Sequence, residues 1–161
     1  MPNRIKNKKG FTIIEVVLVL AIAGLIFLMV FIALPALQSG QRDTQRRNDM
    51  SRVVAALTSY QTNNNGNLPN SDNAAGSGSE SYFISSYLGG DDFKDPDGTL
   101  YKIHVNTGGT TTAGTVFNHT IYLRLAAKCG EEKAVSVSGQ SSKFAIVYAL
   151  ETGGMICLDN S

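Results

Sequence analysis

The sequence predicts an α+β fold: a long N-terminal α-helix, half membrane-type and half amphipathic, packed on a small C-terminal antiparallel β-sheet. Three observations carry this reading. Residues 11–37 form an apolar run interrupted by a single carboxylate, Glu15. Further on, Met50, Val53, Val54, Leu57 and Tyr60 recur at intervals of three and four, the spacing of one apolar stripe on a helix. Past residue 98, short β-rich segments alternate with Gly-, Asp- and Thr-rich turns.

The charge distribution organises the N-terminus. Arg4, Lys6, Lys8 and Lys9 give the first ten residues four positive charges and no acid. The rest of the chain holds ten basic residues against thirteen acidic ones, a net charge of −3. Nothing in that bulk charge suggests an obligatory nucleic-acid partner. As a helix, the 27 residues from 11 to 37 span about 40 Å, enough for a hydrocarbon core of about 30 Å. The run is too long for a secretory h-region, and QSGQRDTQRR supplies no small-residue cleavage site after it. The positive-inside rule keeps the basic leader cytoplasmic and sends the C-terminal part across the membrane. A carboxylate at bilayer depth costs a few kcal/mol or more, so Glu15 is a functional residue in search of a partner.

Residues 38–65 read as an amphipathic continuation of the same helix. Arg42, Arg46, Arg47, Arg52, Asp43 and Asp49 are expected on its solvated faces, and Pro35 is expected to kink the helix rather than end it. Asn63, Asn64, Asn65 and Gly66 end the helix, with Pro69 just beyond. Residues 66–161 form the β-rich head. In it, residues 66–81 read as a surface loop, 82–88 as a helical turn or strand, and 99–105 as a strand fed by a Pro-Asp-Gly turn. Residues 116–126 and 144–151 read as further strands, and Gly153-Gly154 turns the latter into 155–158 as a hairpin. Cys129 and Cys157 face the exported side, where an even, well-separated pair is best read as one disulfide, worth roughly 3–4 kcal/mol in the chain-entropy model. Two buried free thiols are the alternative.

KKGFTIIEVVLVLAIAGLI resembles the N-terminus of type IV prepilins and their relatives, the type II secretion pseudopilins. The resemblance implies a pilin-like ladle fold and assigns roles residue by residue. A prepilin peptidase would cut after Gly10, removing residues 1–10, and Phe11 would become the N-methylated first residue. Glu15 would be the assembly residue of the 11–37 membrane helix. Its carboxylate would meet the Phe11 ammonium of a neighbouring subunit and fix axial register, while an intrasubunit pair stays open, since residues four apart are neighbours on a helix. Gly24 and Pro35 are the resemblance's candidates for the place where the family's helix softens or kinks. Pro35, eleven residues after Gly24, departs from the family, which places its proline nearer. The cysteine pair resembles the disulfide-bounded region of many pilins.

The implied function is that of a structural subunit polymerising with copies of itself into a surface filament for adhesion, twitching motility or DNA uptake. Its partners would be the membrane, the peptidase, and the platform and ATPase-driven machinery. The subunit would sit in the cytoplasmic membrane before assembly and in an extracellular pilus after it. A pseudopilin of a secretion or competence system, and a membrane-anchored binding protein that does not polymerise, are the alternatives. The arginines could touch DNA, but interspersed Asp43 and Asp49 favour a solvated face or intersubunit salt bridges. Asp91, Asp92, Asp95 and Asp97 read as an acidic solvent turn, because the glycine and terminal glutamate of an EF-hand loop are missing. His104 and His119 lie in no motif with a nucleophile or carboxylate partner, so the sequence points to no enzyme, metal or cofactor. Asn118-His119-Thr120 fits an Asn-x-Thr glycosylation pattern, a match common by chance.

Overall fold

The computed structural model describes residues 10–70, 74–78, 81–106, 119–130, 133–136 and 141–160. The leader residues 1–9 lie outside them, as do residues 107–118, which hold most of the Gly- and Thr-rich loop expected at 106–114 and Asn118 of the glycosylation pattern. The chain divides into two compact units, Met1–Gln38 and Ser39–Ser161. One element, helix α1 (Ile13–Asn63), contributes to both.

In the first unit, α1 contains an 18-residue window of mean hydropathy 3.2 with none of it buried, long and apolar enough to cross a membrane. Every large apolar side chain there stands open, from Val16 at 48% exposure to Phe11 at 89%. Pro35 lies inside the helix, where it lacks the N–H that would bond the Phe31 carbonyl.

In the second unit the helix is packed. Met50, Val53, Ala56, Leu57 and Tyr60 are buried, close to the expected stripe, with Val54 only partly covered. The expectation of a solvated charged face fails for three residues. Asp43, Arg46 and Asp49 are buried too, because spacings of three and four carry the same stripe upstream to positions where partners wait. The helix ends as its asparagines and glycine demand. Asn65 and Gly66 take left-handed φ values of 55° and 83°, and the Gly66 amide donates to the Gln61 carbonyl at 2.8 Å.

Strand β1 (Gly76–Ser77) precedes helix α2 (Tyr82–Tyr87), capped by the Ser81 hydroxyl accepting from the Ile84 amide at 3.3 Å. Segment 82–88 is thus a helix, not a strand. A 3-10 turn (Gly90–Asp92) and the Pro-Asp-Gly turn lead to β2 (Lys102–Asn106). Then come β3 (Thr120–Leu125), β4 (Ala127–Gly130), β5 (Lys133–Ser136), β6 (Phe144–Ala149) and β7 (Met155–Asp159). The main sheet has order β1-β2-β3-β6-β7. It is antiparallel except at β2–β3, which pair in parallel from Lys102↔Thr120 to Asn106↔Arg124. The β6–β7 hairpin forms as expected, with Gly153 and Gly154 at φ 96° and 83°, although β6 stops at Ala149 because the next residues enter the turn.

Alternation sorts the sheet into two faces. Ile103, Ile121, Leu123, Phe144, Ile146, Tyr148 and Ile156 meet α1 and α2 in the main core. Each fully buried large side chain there is worth about 1.5–3 kcal/mol. Tyr122, Ala145 and Val147 point the other way, into a small second core with Ala127 of β4. Strands β4 and β5 form a separate two-stranded sheet, which the sequence reading did not foresee. The Cys129–Cys157 disulfide ties β4 to β7.

Candidate functional site

Gly10, Phe11 and Thr12 are non-helical, and α1 begins at Ile13. What stops the helix there is a reciprocal cap. The Thr12 amide donates to Glu15 Oε2 at 3.0 Å, the Thr12 hydroxyl donates to the same oxygen at 2.9 Å, and the Glu15 amide points at Thr12 Oγ1 at 3.4 Å. This is a Thr-x-x-Glu capping box, a local signal that the sequence itself carries. Glu15 therefore has a partner within its own chain: the carboxylate satisfies donors at the start of its own helix, one turn from Phe11.

Phe11 is 89% exposed, and Glu15 lies on an equally open helix surface. Gly24 and Pro35 are exposed too, and a Cβ built at Gly24 meets nothing within 4 Å. Packing within one chain thus gives no reason for glycine there, at a helix-interior position where glycine costs about 1 kcal/mol relative to alanine. The described side chains of this unit offer a continuous apolar surface plus one capped carboxylate, an arrangement suited to insertion and packing rather than to bond chemistry.

The second unit gathers the charged residues around Arg46. Its Nε donates to Asp95 Oδ2 at 2.8 Å and its NH2 to Asp95 Oδ1 at 2.7 Å, a bidentate fork. Its NH1 reaches Asp43 Oδ1 at 2.9 Å and Glu151 Oε2 at 3.0 Å. Asp43 also accepts from the amides of Glu151 and Thr152, both at 2.9 Å, and from the Thr152 hydroxyl at 2.6 Å. Arg42 forks onto Glu151, and the Tyr148 hydroxyl donates to Asp95 at 2.7 Å. The clamp joins three distant segments: α1, the Pro-Asp-Gly turn and the β6–β7 turn.

Burial pushes the Asp43 carboxyl up, but hydrogen bonds from Thr152, Glu151 and Arg46 outweigh it and hold the group at about 2. Asp95 follows the same balance, with Arg46, Tyr148 and the Asp97 amide bringing it to about 2. The Arg42 and Arg46 bonds lower Glu151 to about 2. Asp49 is raised, because burial outweighs the Tyr101 hydroxyl at 3.1 Å and Arg52 at 3.4 Å.

These contacts correct two sequence expectations. Asp91, Asp92 and Asp97 are exposed as expected of a solvent turn, but Asp95 is 2% exposed and neutralises Arg46. Of the arginines proposed for solvent or intersubunit pairing, Arg42 and Arg46 are engaged within the chain, and Arg52 sits 5.5 Å over the Phe93 ring. Arg47 and Arg52 are exposed, as expected of a solvated face. His119 places Nε2 3.3 Å from Asp97 and Nδ1 3.8 Å from Asp95. Asp95, Asp97 and His119 bring ligand-type atoms within 4.8 Å of one another, but the Arg46 fork and the Tyr148 hydroxyl already occupy the Asp95 oxygens. His104 lies edge-on to Tyr122, with ring centroids 5.6 Å apart.

Residues 5–31 match the prokaryotic N-terminal methylation motif, the signal of type IV pilins and pseudopilins. The match supports a pilin-like or pseudopilin-like protein, and the α+β arrangement of α1 and the five-stranded sheet accords with a pilin-like fold. No curated protein and no solved structure matches the chain.

Proposed function

We propose that this chain is a type IV pilin subunit, cut after Gly10 by a prepilin peptidase, N-methylated at Phe11 and polymerised through residues 11–37 into a surface filament. Residues 38–65 then serve as the amphipathic continuation that carries the head, residues 66–161. The observation that carries the reading is the methylation motif on a capped helix whose large apolar side chains from residue 11 to residue 37 are all exposed. Such a surface exceeds what a soluble monomer leaves open, and lipid before assembly and other copies of the helix after it both cover it.

Glu15 is the assembly residue in this reading. In the unassembled chain Thr12 satisfies its carboxylate. Cleavage creates an ammonium on Phe11, and pairing it with Glu15 neutralises two charges that hydrocarbon penalises. The partners are other copies of the chain, the membrane, the peptidase and the platform with its ATPase-driven machinery. The head faces the cell exterior and carries the adhesion, motility or uptake contacts. A head closed by a disulfide favours the pilin over the pseudopilin reading.

Isolating native filaments tests this proposal. Long surface fibres composed mainly of this chain are expected, and Glu15→Ala should insert into the membrane normally yet fail to assemble. Fibres that form as well with Glu15→Ala would refute the assembly role, and their absence from piliated cells would favour the pseudopilin reading.

A further inference from the structure

The two faces of the sheet are covered very differently. Among the described residues, eighteen buried side chains fill the main core between the sheet and its helices, whereas four fill the second core, two of them alanines, with Cys129, Met155 and Cys157 partly buried against it. The cover of that second face, β4 with β5, shares no ladder with the five-stranded sheet. Ala126, where the chain leaves β3 for β4, has φ 49°, a left-handed conformation that alanine tolerates poorly. Arg124 shares that face with Tyr122 and is 1% exposed, so closure desolvates a guanidinium. Among the described residues, β4 is tied to the main sheet by Ala127 in the small core, the Cys129 amide donating to Asp159 Oδ2 at 2.6 Å, and the Cys129–Cys157 bond. Both cysteines are only partly buried.

We propose that the Cys129–Cys157 bond is a redox latch: its reduction by a dithiol releases β4 from the back of the sheet and uncovers Tyr122 and Val147, while the helix-facing core stays folded. One thiolate of the dithiol attacks a cysteine sulfur, the S–S bond breaks, and a mixed disulfide forms. The second thiolate then closes the reductant's own disulfide, leaving two protein thiols, with two electrons and two protons transferred. Released from its bond, a two-stranded ribbon is marginal alone, since it shares no ladder with the main sheet. Opening rehydrates Arg124 and exposes an apolar patch on the face opposite α1.

Hydroxyl-radical footprinting of the full chain in detergent tests this, because the tyrosines report on both faces. Tyr122 lies in the second core, Tyr101 and Tyr148 lie in the main core, and Tyr82 is an exposed reference at 60%. Oxidised protein is compared with reduced, desalted protein and with the Cys129→Ser/Cys157→Ser double variant. The latch predicts that Tyr122 labelling rises severalfold towards the rate of Tyr82, while Tyr101 and Tyr148 stay protected. If all tyrosines rise together, the bond is a staple of the whole fold and the proposal fails. If Tyr122 stays protected, the second layer needs no latch and the proposal fails as well. Should the double variant not fold, the reduced wild-type chain alone decides.

Discussion

Residues 13–38 and 39–63 belong to one helix yet differ in everything but backbone. In the first stretch every large apolar side chain is at least 48% exposed; in the second, Met50, Val53 and Leu57 are at most 1% exposed. Charge inverts the same way. The exposed stretch carries one carboxylate, capped by its own helix start, while the packed stretch buries Asp43, Arg46 and Asp49. Helix formation therefore does not decide burial here; the availability of partners does. The second stretch finds them in its own head. The first finds none among the described residues, which leaves its surface open for the proposed contacts with lipid and other copies of the chain.

The largest effect should come from breaking the packed half at its charge centre. Arg46→Met leaves Asp43 and Asp95 buried without their cation and should cost about 3–5 kcal/mol, while Arg47→Met, one position along and exposed, should change little. Denaturant unfolding of the full chain in detergent measures both; equal effects would mean that the clamp is not structural. Next, Leu57→Ala should lose about 2–5 kcal/mol of head stability, whereas Leu28→Ala, 64% exposed, should leave it unchanged.

Acid should act on the packed half only. Asp43 and Asp95 are held at about 2, below their ordinary range near 4. Carboxyls depressed in this way contribute stability that is present above the unfolded value and lost as pH falls towards the folded one. The pair is worth about 2 kcal/mol each, so the unfolding midpoint should drop between about pH 4 and pH 2. Asp49 has the opposite sign, since its raised carboxyl is relieved by protonation. A shallower fall in Arg46→Met than in the wild type would tie part of the loss to the Arg46 bonds, the rest staying with the Thr152, Glu151 and Tyr148 donors.

The smallest effects concern glycine. Gly24→Ala meets no atom in the subunit and should leave or slightly strengthen the helix, by up to about 1 kcal/mol. Gly78→Ala, at φ 52° and with its Cβ 2.9 Å from Asp91 Oδ1, should destabilise the head by about 1–2 kcal/mol. Thermal midpoints of the two variants separate them; a fall in both would place a hidden contact at Gly24.

What was legible in the sequence follows the same division. Local periodicity revealed the apolar run, the Met50–Tyr60 stripe, the asparagine-glycine helix end and the Gly153-Gly154 hairpin, because each depends on neighbours within a few residues. The burial of Arg46 was not legible, since Asp95 and Glu151 lie 49 and 105 positions away and only tertiary structure brings them near. The parallel β2–β3 pair and the β4–β5 layer escaped for the same reason: pairing direction is a property of topology, and short strands around small residues carry a weak pattern. Thr12 was different. Its Thr-x-x-Glu spacing was in plain view, within a stretch whose family resemblance drew attention to Gly10, Phe11 and Glu15.

The most direct test of the account is the intact mass of the mature chain taken from membranes of its native host. The account predicts a chain beginning at Phe11, lacking residues 1–10 and heavier by one methyl group at its amine. A chain that keeps residues 1–10 would contradict it, since no Phe11 ammonium would then exist for Glu15 to meet.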